Sequence, residues 1–101
     1  MTHLRIWKFR PPESHEQEFA LAYAGDGVWA ALFSRANGYL GSSLHRPVER
    51  GGWWLTIDRW DSIGAFEAFG RDFGDEYRAL DAELEGVAGE EEFVGAFEGD
   101  D

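Results

Sequence analysis

The sequence predicts an α+β fold of the ferredoxin-like type, a βαββαβ sandwich in which helices cover one face of a four-stranded antiparallel sheet. Segments with an apolar residue at every second position indicate strands, and segments with apolar residues three and four positions apart indicate helices. These segments follow one another in the order strand, helix, strand, strand, helix, strand, which is the split βαβ pattern. The chain has 101 residues, the length of a single domain.

The first half of the chain predicts one strand and one interrupted helix. Residues 3–10 alternate between two faces and end at two prolines, which have no amide hydrogen to donate to a sheet. A Ser-x-x-Gln capping box at residues 14–17 predicts the start of the helix. A Gly-Asp-Gly segment at 25–27 interrupts the helix, with its aspartate as the candidate cap of the second piece, and Asn-Gly at 37–38 ends it.

The second half predicts three strands and a long helix. Residues 39–47 form the second strand, a Gly-rich hairpin loop follows, and residues 53–60 have the strongest strand pattern in the chain. Phenylalanines at helical spacing then mark the helix. Residues 91–97 predict a short last strand with Phe93 and Phe97 on one side.

One domain, residues 1–97, is expected to account for almost the whole chain, and residues 98–101 are expected to form a frayed acidic tail. The amino-terminal residues lack the long apolar run of a signal peptide or a membrane-spanning helix. The chain contains no cysteine, so the sequence predicts neither disulfides nor thiolate chemistry. We therefore expect a cytoplasmic protein.

The net charge of the chain argues against two classes of binding partner. The formal net charge is −11, from 20 acidic and 9 basic residues. Such a surface repels nucleic-acid phosphates and anionic membranes, so neither is an expected partner. Histidines and carboxylates do not recur at metal-ligand spacing, so the sequence predicts no metal site.

The third predicted strand is apolar on both faces. Leu55 and Ile57 point to one face, and Trp54 and Trp60 point to the other. Helices cover only one face of this sheet, so the other face needs a second cover. We therefore expect a homodimer that pairs through the open sheet face, and a monomer with an exposed apolar patch is the alternative.

Several short segments, taken in their order and spacing, resemble the antibiotic-biosynthesis-monooxygenase family of dimeric α/β barrels. They span nearly the whole chain and comprise Ile6-Trp7, Glu18-Phe19, Asn37-Gly38-Tyr39-Leu40, Asp58-Arg59-Trp60-Asp61-Ser62, Ala65-Phe66, Phe69, Tyr77-Arg78-Ala79-Leu80-Asp81 and Gly95-Ala96-Phe97. The resemblance implies the same fold and the pairing of two chains. The chemistry that it implies includes cofactor-free oxygenation of polycyclic phenols, quinol oxidation and oxidative haem degradation, and the fold alone does not choose among them.

Haem degradation is the least supported of these activities. Members that degrade haem use an Asn in the first strand, a Trp on the helix after the third strand and a His on the following helical segment. The matching positions in this chain hold Trp7, Phe69 and either Ala79 or Leu80. The resemblance therefore argues against haem degradation, and haem binding through His45 ranks last among the alternatives.

Cofactor-free oxygenation requires an apolar slot, a hydrogen-bonding group for a phenolate and a base. The resemblance implies that the slot lies between the helices and the sheet, and the aromatic residues expected to line it are Trp7, Phe9, Trp29, Phe33 and Phe69. Tyr39 and Tyr77 are each expected to donate a hydrogen bond to a phenolate or quinone oxygen. The alternative interpretation is that all these aromatic residues simply form the core.

Three titratable residues are candidates for proton transfer: His45, Asp58 and Tyr77. His45 lies in the second strand, on the side predicted for Tyr39, and titrates near neutral pH, although a strand histidine can also be exposed or packed in a dimer contact. Asp58 lies in an apolar strand, where a carboxylate is costly unless it is paired. Arg5 is its predicted partner, and a structural salt bridge and a perturbed general base are both open interpretations.

The predicted function is a cofactor-independent monooxygenase that acts on a small aromatic substrate such as a phenol, quinol or anthrone. The alternative, from another class, is a non-enzymatic dimeric module that binds a small apolar ligand. The volume and polarity of a cavity between the helices and the sheet discriminate between these two functions.

Overall fold

A computed structural model describes residues 1–99. The last two residues of the predicted acidic tail, 100 and 101, lie outside the described residues. The strands are β1 (Thr2–Arg10), β2 (Tyr39–His45), β3 (Trp54–Trp60) and β4 (Glu90–Gly99), and the helices are α1 (Glu16–Tyr23), α2 (Val28–Phe33) and α3 (Ile63–Ala88). A short 3-10 turn, Glu13–His15, leads into α1.

The four strands form one sheet in the order β2-β3-β1-β4, and every neighbouring pair is antiparallel. The two central strands, β1 and β3, are the first and third in the chain, as the split βαβ pattern requires. This arrangement confirms the predicted ferredoxin-like α+β fold.

A side chain caps α3 but not α1 or α2. Ser62 caps α3, because its Oγ accepts a hydrogen bond of 3.1 Å from the backbone amide of Ala65. The capping box predicted at 14–17 is wrong: Ser14 lies in the 3-10 turn, and no side chain caps α1. Gly27, and not the preceding aspartate, stands at the N-cap of α2.

The last strand is longer than predicted. β4 continues through Glu98 and Gly99, which pair with His3 and Thr2 of β1. Strand β4 therefore includes the first two residues of the acidic segment, because their backbones pair with β1.

The helices pack against one face of the sheet and the core lies between these two layers. Phe19 of α1, Trp60 of β3 and Phe69 of α3 are 0%, 1% and 2% exposed, respectively. The opposite face, which we call the open face, has no helix against it. It carries the half-buried aliphatic side chains Leu4, Ile6, Leu55 and Ile57 at its centre.

Two β-bulges interrupt the alternation of side chains. In β2, Tyr39 lies opposite Trp60 while Gly41 lies opposite Arg59, so that Leu40 is an extra residue. In β4 a similar shift makes Val94 the extra residue. A bulge of this kind places two residues against one and reverses which face the following side chains take.

The bulges overturn two predicted face assignments. His45 does not share a face with Tyr39, because the extra residue lies between them in β2. Phe93 and Phe97 are also on different faces. Phe93 lies beside Trp7 with ring centroids 5.0 Å apart, whereas Phe97 pairs with Leu4 on the open face.

Within residues 1–99, none of the helices has the length and apolar character needed to cross a membrane.

Candidate functional site: a cavity between the sheet and the helices

A cavity open at one side lies between the helical layer and the inner face of the sheet. Its volume, taken as the space that the centre of a water molecule can occupy, is about 120 Å³. One water needs roughly 10–15 Å³ by that measure, so the cavity has room for a ligand of several ring atoms. The residues that line it are Trp7, Phe9, Tyr23, Ala24, Trp29, Ala30, Phe33, Ser42, Thr56, Asp58, Tyr77, Asp81 and Glu91.

The aromatic wall comes from β1 and from the helices. Trp7 and Phe9 project from alternate positions of β1, while Trp29 and Phe33 lie one helical turn apart on α2. The ring of Trp29 also contacts Tyr77 of α3, with centroids 5.1 Å apart. Four of the five predicted wall residues therefore line the cavity.

Phe69 and Tyr39 lie outside the cavity. Phe69 is 2% exposed and packs its ring against Phe33 and Trp60, with centroids 5.1 and 5.3 Å away, so it belongs to the core behind the wall. The ring of Tyr39 also packs on Phe33 and Trp60. Its hydroxyl reaches the cavity only indirectly, through Ser42.

Asp58 is the carboxyl group held deepest in the sheet wall. Its Oδ1 accepts a hydrogen bond of 2.6 Å from Ser42 Oγ. Burial raises the pKa of Asp58, and the Ser42 hydrogen bond and the charges of Arg5 and Arg59 act in the opposite direction. The result is a carboxyl group with raised proton affinity that faces an aromatic cavity.

Arg5 lies opposite Asp58 in the pairing of β1 with β3, as predicted. The two side chains form no salt bridge, however, because the guanidinium lies over the rings of Phe66 and Phe93, 3.9 and 4.8 Å from their centroids. The structural salt bridge considered for Asp58 is therefore not present, and the influence of Arg5 is a longer-range one.

Tyr77 reaches the cavity from α3, beyond a kink at Phe73 where the backbone leaves helical geometry (φ −123°, ψ 18°). Burial raises the pKa of Tyr77, and the negative charges of Asp81, Glu91 and Asp58 raise it further. A phenol with a raised pKa stays protonated at neutral pH. Tyr77 therefore faces the cavity as a hydrogen-bond donor.

His45 does not reach the cavity. It is exposed at the end of β2, where its Nε2 lies 3.0 Å from Ser43 Oγ. The same Ser43 oxygen accepts a hydrogen bond of 3.2 Å from Arg59 Nη1. The bulge at Leu40 explains this position, since it turns His45 and Ser43 to the open face and Ser42 to the cavity.

Acidic residues at the open side of the cavity were not predicted. Asp81 and Glu91 are exposed and line the cavity, and burial and then the charges of Asp81 and Glu85 raise the pKa of Glu91. No Lys, Arg or His of the described chain lines this cavity. Helical spacing could have found Asp81, which is four residues from Tyr77, but Glu91 required the register of β4.

A family model for antibiotic biosynthesis monooxygenases matches residues 2–82 of the chain, which include β1 to β3 and most of α3. The chain belongs to this family. No curated protein matches it.

Solved structures of similar fold include proteins described as oxygenases or monooxygenases. SnoaB, a cofactor-independent oxygenase from Streptomyces nogalater, is 21% identical, with 99% of this chain and 92% of that chain covered and a TM-score of 0.63. A Bordetella bronchiseptica protein provisionally named an antibiotic biosynthesis monooxygenase is 19% identical, with 97% and 96% covered and a TM-score of 0.70. At these identities the similarity shows a shared fold.

Proposed function

We propose that this family member is a cofactor-independent monooxygenase that oxidises a small aromatic substrate, a phenol, quinol or anthrone, in the cavity. The observation that supports the proposal most directly is the combination, within one aromatic cavity, of a carboxyl group with raised proton affinity and a protonated phenol. Family membership and the activity stated for SnoaB support the same class of reaction.

Asp58 is the base in this proposal. The substrate transfers a proton to the Asp58 carboxylate, and the resulting substrate anion gives an electron to O₂. Recombination of the two radicals forms a C–O bond, and the peroxide takes the proton back. Loss of water then leaves a carbonyl, so that one substrate and one O₂ give one oxidised product and one water. A raised pKa suits a base for this exchange, because it strengthens the hold of the carboxylate on the proton that it takes from the substrate.

Tyr77 would donate a hydrogen bond to the oxygen on which negative charge develops. The raised pKa of its hydroxyl keeps the proton in place, and a donor aimed at developing charge in a partly dry site is more effective than one in water. Trp29, whose ring contacts Tyr77, would hold the aromatic substrate against this donor by stacking.

The charge of the cavity suggests which substrates it accepts. Its titratable lining includes the carboxyl groups Asp58, Asp81 and Glu91 and, within the described chain, no basic side chain. A substrate carboxylate would meet like charges and lose its hydration. We therefore infer that neutral quinols and anthrones are preferred over their carboxylated analogues.

The protein is proposed to act as a homodimer paired through the open face. Ile6 and Ile57 lie opposite each other at the centre of that face, and Leu4 and Leu55 flank them. An apolar centre of this kind is what a partner sheet covers in a stable interface, and the cytoplasm is the proposed location of the dimer.

Oxygen uptake by purified protein, with a panel of anthrones, hydroquinones and naphthols, tests the proposed reaction. Asp58→Asn keeps the shape of the side chain and removes the base, so kcat is expected to fall about 10²- to 10⁴-fold. His45→Ala, which changes the candidate on the open face, is expected to leave kcat unchanged. Full turnover by Asp58→Asn together with loss of turnover in His45→Ala would reverse the assignment.

The alternative is a non-enzymatic module that binds a small apolar ligand in the same cavity. The aromatic lining supports this function as well. Calorimetric binding of the same compounds with no oxygen uptake by the wild-type protein would favour it. Haem binding through His45 gains no support from the position of that residue outside the cavity.

A further inference from the structure

Three side chains form a continuous hydrogen-bonded chain that ends at Asp58. Tyr39 Oη lies 2.5 Å from Ser42 Oγ, and Ser42 Oγ donates to Asp58 Oδ1 over 2.6 Å. Both distances are at the short end for O–H···O hydrogen bonds. A carboxylate acceptor accounts for the short distance between Ser42 and Asp58. The chain leads from the cavity wall into the packed interior beside Phe33 and Trp60.

The direction of these hydrogen bonds follows from the number of hydrogens. A serine hydroxyl has one hydrogen, and Ser42 gives it to Asp58. The hydroxyl of Tyr39 must therefore donate to Ser42 Oγ. Both donors thus point toward the carboxylate, an arrangement that favours its ionised form.

The bulge in β2 brings the two hydroxyl groups together. Tyr39 and Ser42 are three positions apart, and in a regular strand such residues face opposite sides of the sheet. The extra residue, Leu40, turns both side chains toward the helices, and Gly41 adopts a positive φ of 130° within the bulge.

We propose that Ser42 and Tyr39 are positioning residues for Asp58. This inference rests on the proposed function in so far as Asp58 is the base. The hydroxyl groups of Tyr39 and Ser42, which we call the hydroxyl chain, occupy Oδ1 and leave the second carboxylate oxygen to face the cavity. Their hydrogen bonds also set how strongly that second oxygen holds a proton. In the proton-transfer step the substrate O–H or C–H bond breaks and a new O–H bond forms at the second oxygen, with the Ser42 hydrogen bond unchanged.

The charged and titratable groups around Asp58 come from four elements. Arg5 faces it from β1, Tyr77 from α3 and Tyr39 from β2, while Arg59 adjoins it in β3. Ser42 and Tyr39 can be changed without altering these charges at neutral pH, because neither carries a charge in its protonated form.

The test is a pH titration of the Asp58 carboxyl, followed by its carboxyl-carbon NMR shift, in four variants. Ser42→Ala removes the donor and is expected to raise the titration midpoint by about one pH unit, the effect of losing a hydrogen bond to a charged group. Tyr39→Phe removes a hydroxyl that contacts Ser42 and not Asp58 itself, so a smaller upward shift of the midpoint is expected. Ser42→Thr keeps a hydroxyl and should return the midpoint toward that of the wild type.

Ser43→Ala is the matched control, because it removes the same group from the neighbouring residue, which contacts Arg59 and His45 on the open face. It should leave the midpoint unchanged. A midpoint in Ser42→Ala and Tyr39→Phe equal to the wild-type value would overturn the proposal, as would an equal shift in Ser43→Ala. If Ser42→Ala does not fold, Tyr39→Phe and Ser42→Thr still decide the question.

The kinetic consequence separates this inference from the proposed function. If the protein consumes oxygen, the pH at which kcat/KM falls on the acidic side should be higher in Ser42→Ala, in step with the NMR midpoint. If it consumes none, the proposed reaction is wrong, whereas a midpoint that shifts in Ser42→Ala and not in Ser43→Ala still supports the hydroxyl chain.

Discussion

His3 is a buried titratable residue without a described hydrogen-bond partner for one of its ring nitrogens. The side chain is 2% exposed, and its Nε2 is a buried atom with no partner within the described chain. Burial, and then the positive charge of Arg5, lowers the pKa of His3, while Glu98 and Glu67 act in the opposite direction. A neutral imidazole is therefore the form that the fold accommodates.

Substitution of His3 should change how stability depends on pH. Below about pH 6.5 the unfolded chain protonates this histidine while the folded protein resists protonation, so the free energy of unfolding falls as pH falls, with a limiting slope of about 1.4 kcal/mol per pH unit. In His3→Phe this contribution is absent, so the free energy of unfolding should fall less steeply as pH is lowered. Urea denaturation between about pH 5 and pH 7.5 measures the difference. His15→Gln is the control, because the side chain of His15 is 43% exposed. Parallel curves for wild type and His3→Phe would contradict this account.

At the level of single residues, the sequence indicated Asp58 and Tyr77 but missed Ser42. A carboxylate in an apolar strand stands out because its burial is costly, and a tyrosine on the apolar side of a helix is expected to face the core. A serine gives no such signal in a strand, since it occurs on either face. Its role depends on a bulge that no local pattern in β2 marks except Gly41.

Among the secondary-structure elements, β2 is the one whose irregularity matters for the site. Gly41 adopts a φ of 130°, a conformation that L-residues rarely adopt, and nothing lies within 4 Å of the position its Cβ would occupy. A substitution there changes the backbone energy without a steric clash. The bulge is thus open to a direct test.

Gly41→Ala is expected to lower the free energy of unfolding by about 1–3 kcal/mol, because alanine does not tolerate the positive φ. Gly70→Ala provides the matched control. Gly70 lies in α3 with no atom within 4 Å of its Cβ position and no positive φ, so alanine there should stabilise the protein by about 0.5–1 kcal/mol. Chemical denaturation of both variants gives the comparison. If both substitutions changed the free energy of unfolding by the same amount and in the same direction, a side chain at position 41 would not strain the bulge.

Strand and helix order could be predicted from the sequence, whereas side-chain faces beyond the bulges could not. Periodicity identifies β1 and β3 because their alternation is unbroken from end to end. In β2 and β4 a single extra residue inverts every later assignment, which is why His45 and Phe97 were placed on the wrong faces. Backbone pairing between distant strands decides such positions, and one sequence does not contain it.

For the whole molecule, the proposed dimer depends on the aliphatic centre of the open face. Ile57→Asp places a charge opposite Ile6, and desolvating that charge in an interface costs several kcal/mol. We expect this variant to sediment as a monomer. Leu21→Asp is the control, since Leu21 is 74% exposed on α1 and the same chemical change there should leave the assembly intact. Dimers in both variants would assign the interface to another surface.

The charge of the chain adds a condition to this assembly. Each chain carries a formal net charge of −11, so two paired chains repel each other at low ionic strength. Salt screens charges that lie farther apart than about 8–10 Å. The sedimentation comparison therefore belongs at physiological ionic strength, where the contribution of the apolar face is measured with the least repulsion.

The extra residue in β2, Leu40, marks a position where one residue can be deleted from the chain. Leu40 has no partner in β3 and is 56% exposed. Its deletion would leave Tyr39 opposite Trp60 and Gly41 opposite Arg59, so each remaining side chain would keep its face. Deletion of one residue from the regular part of the strand would instead move every later side chain of β2 to the opposite face of the sheet. Position 40 is therefore where this fold can lose a residue and keep its site.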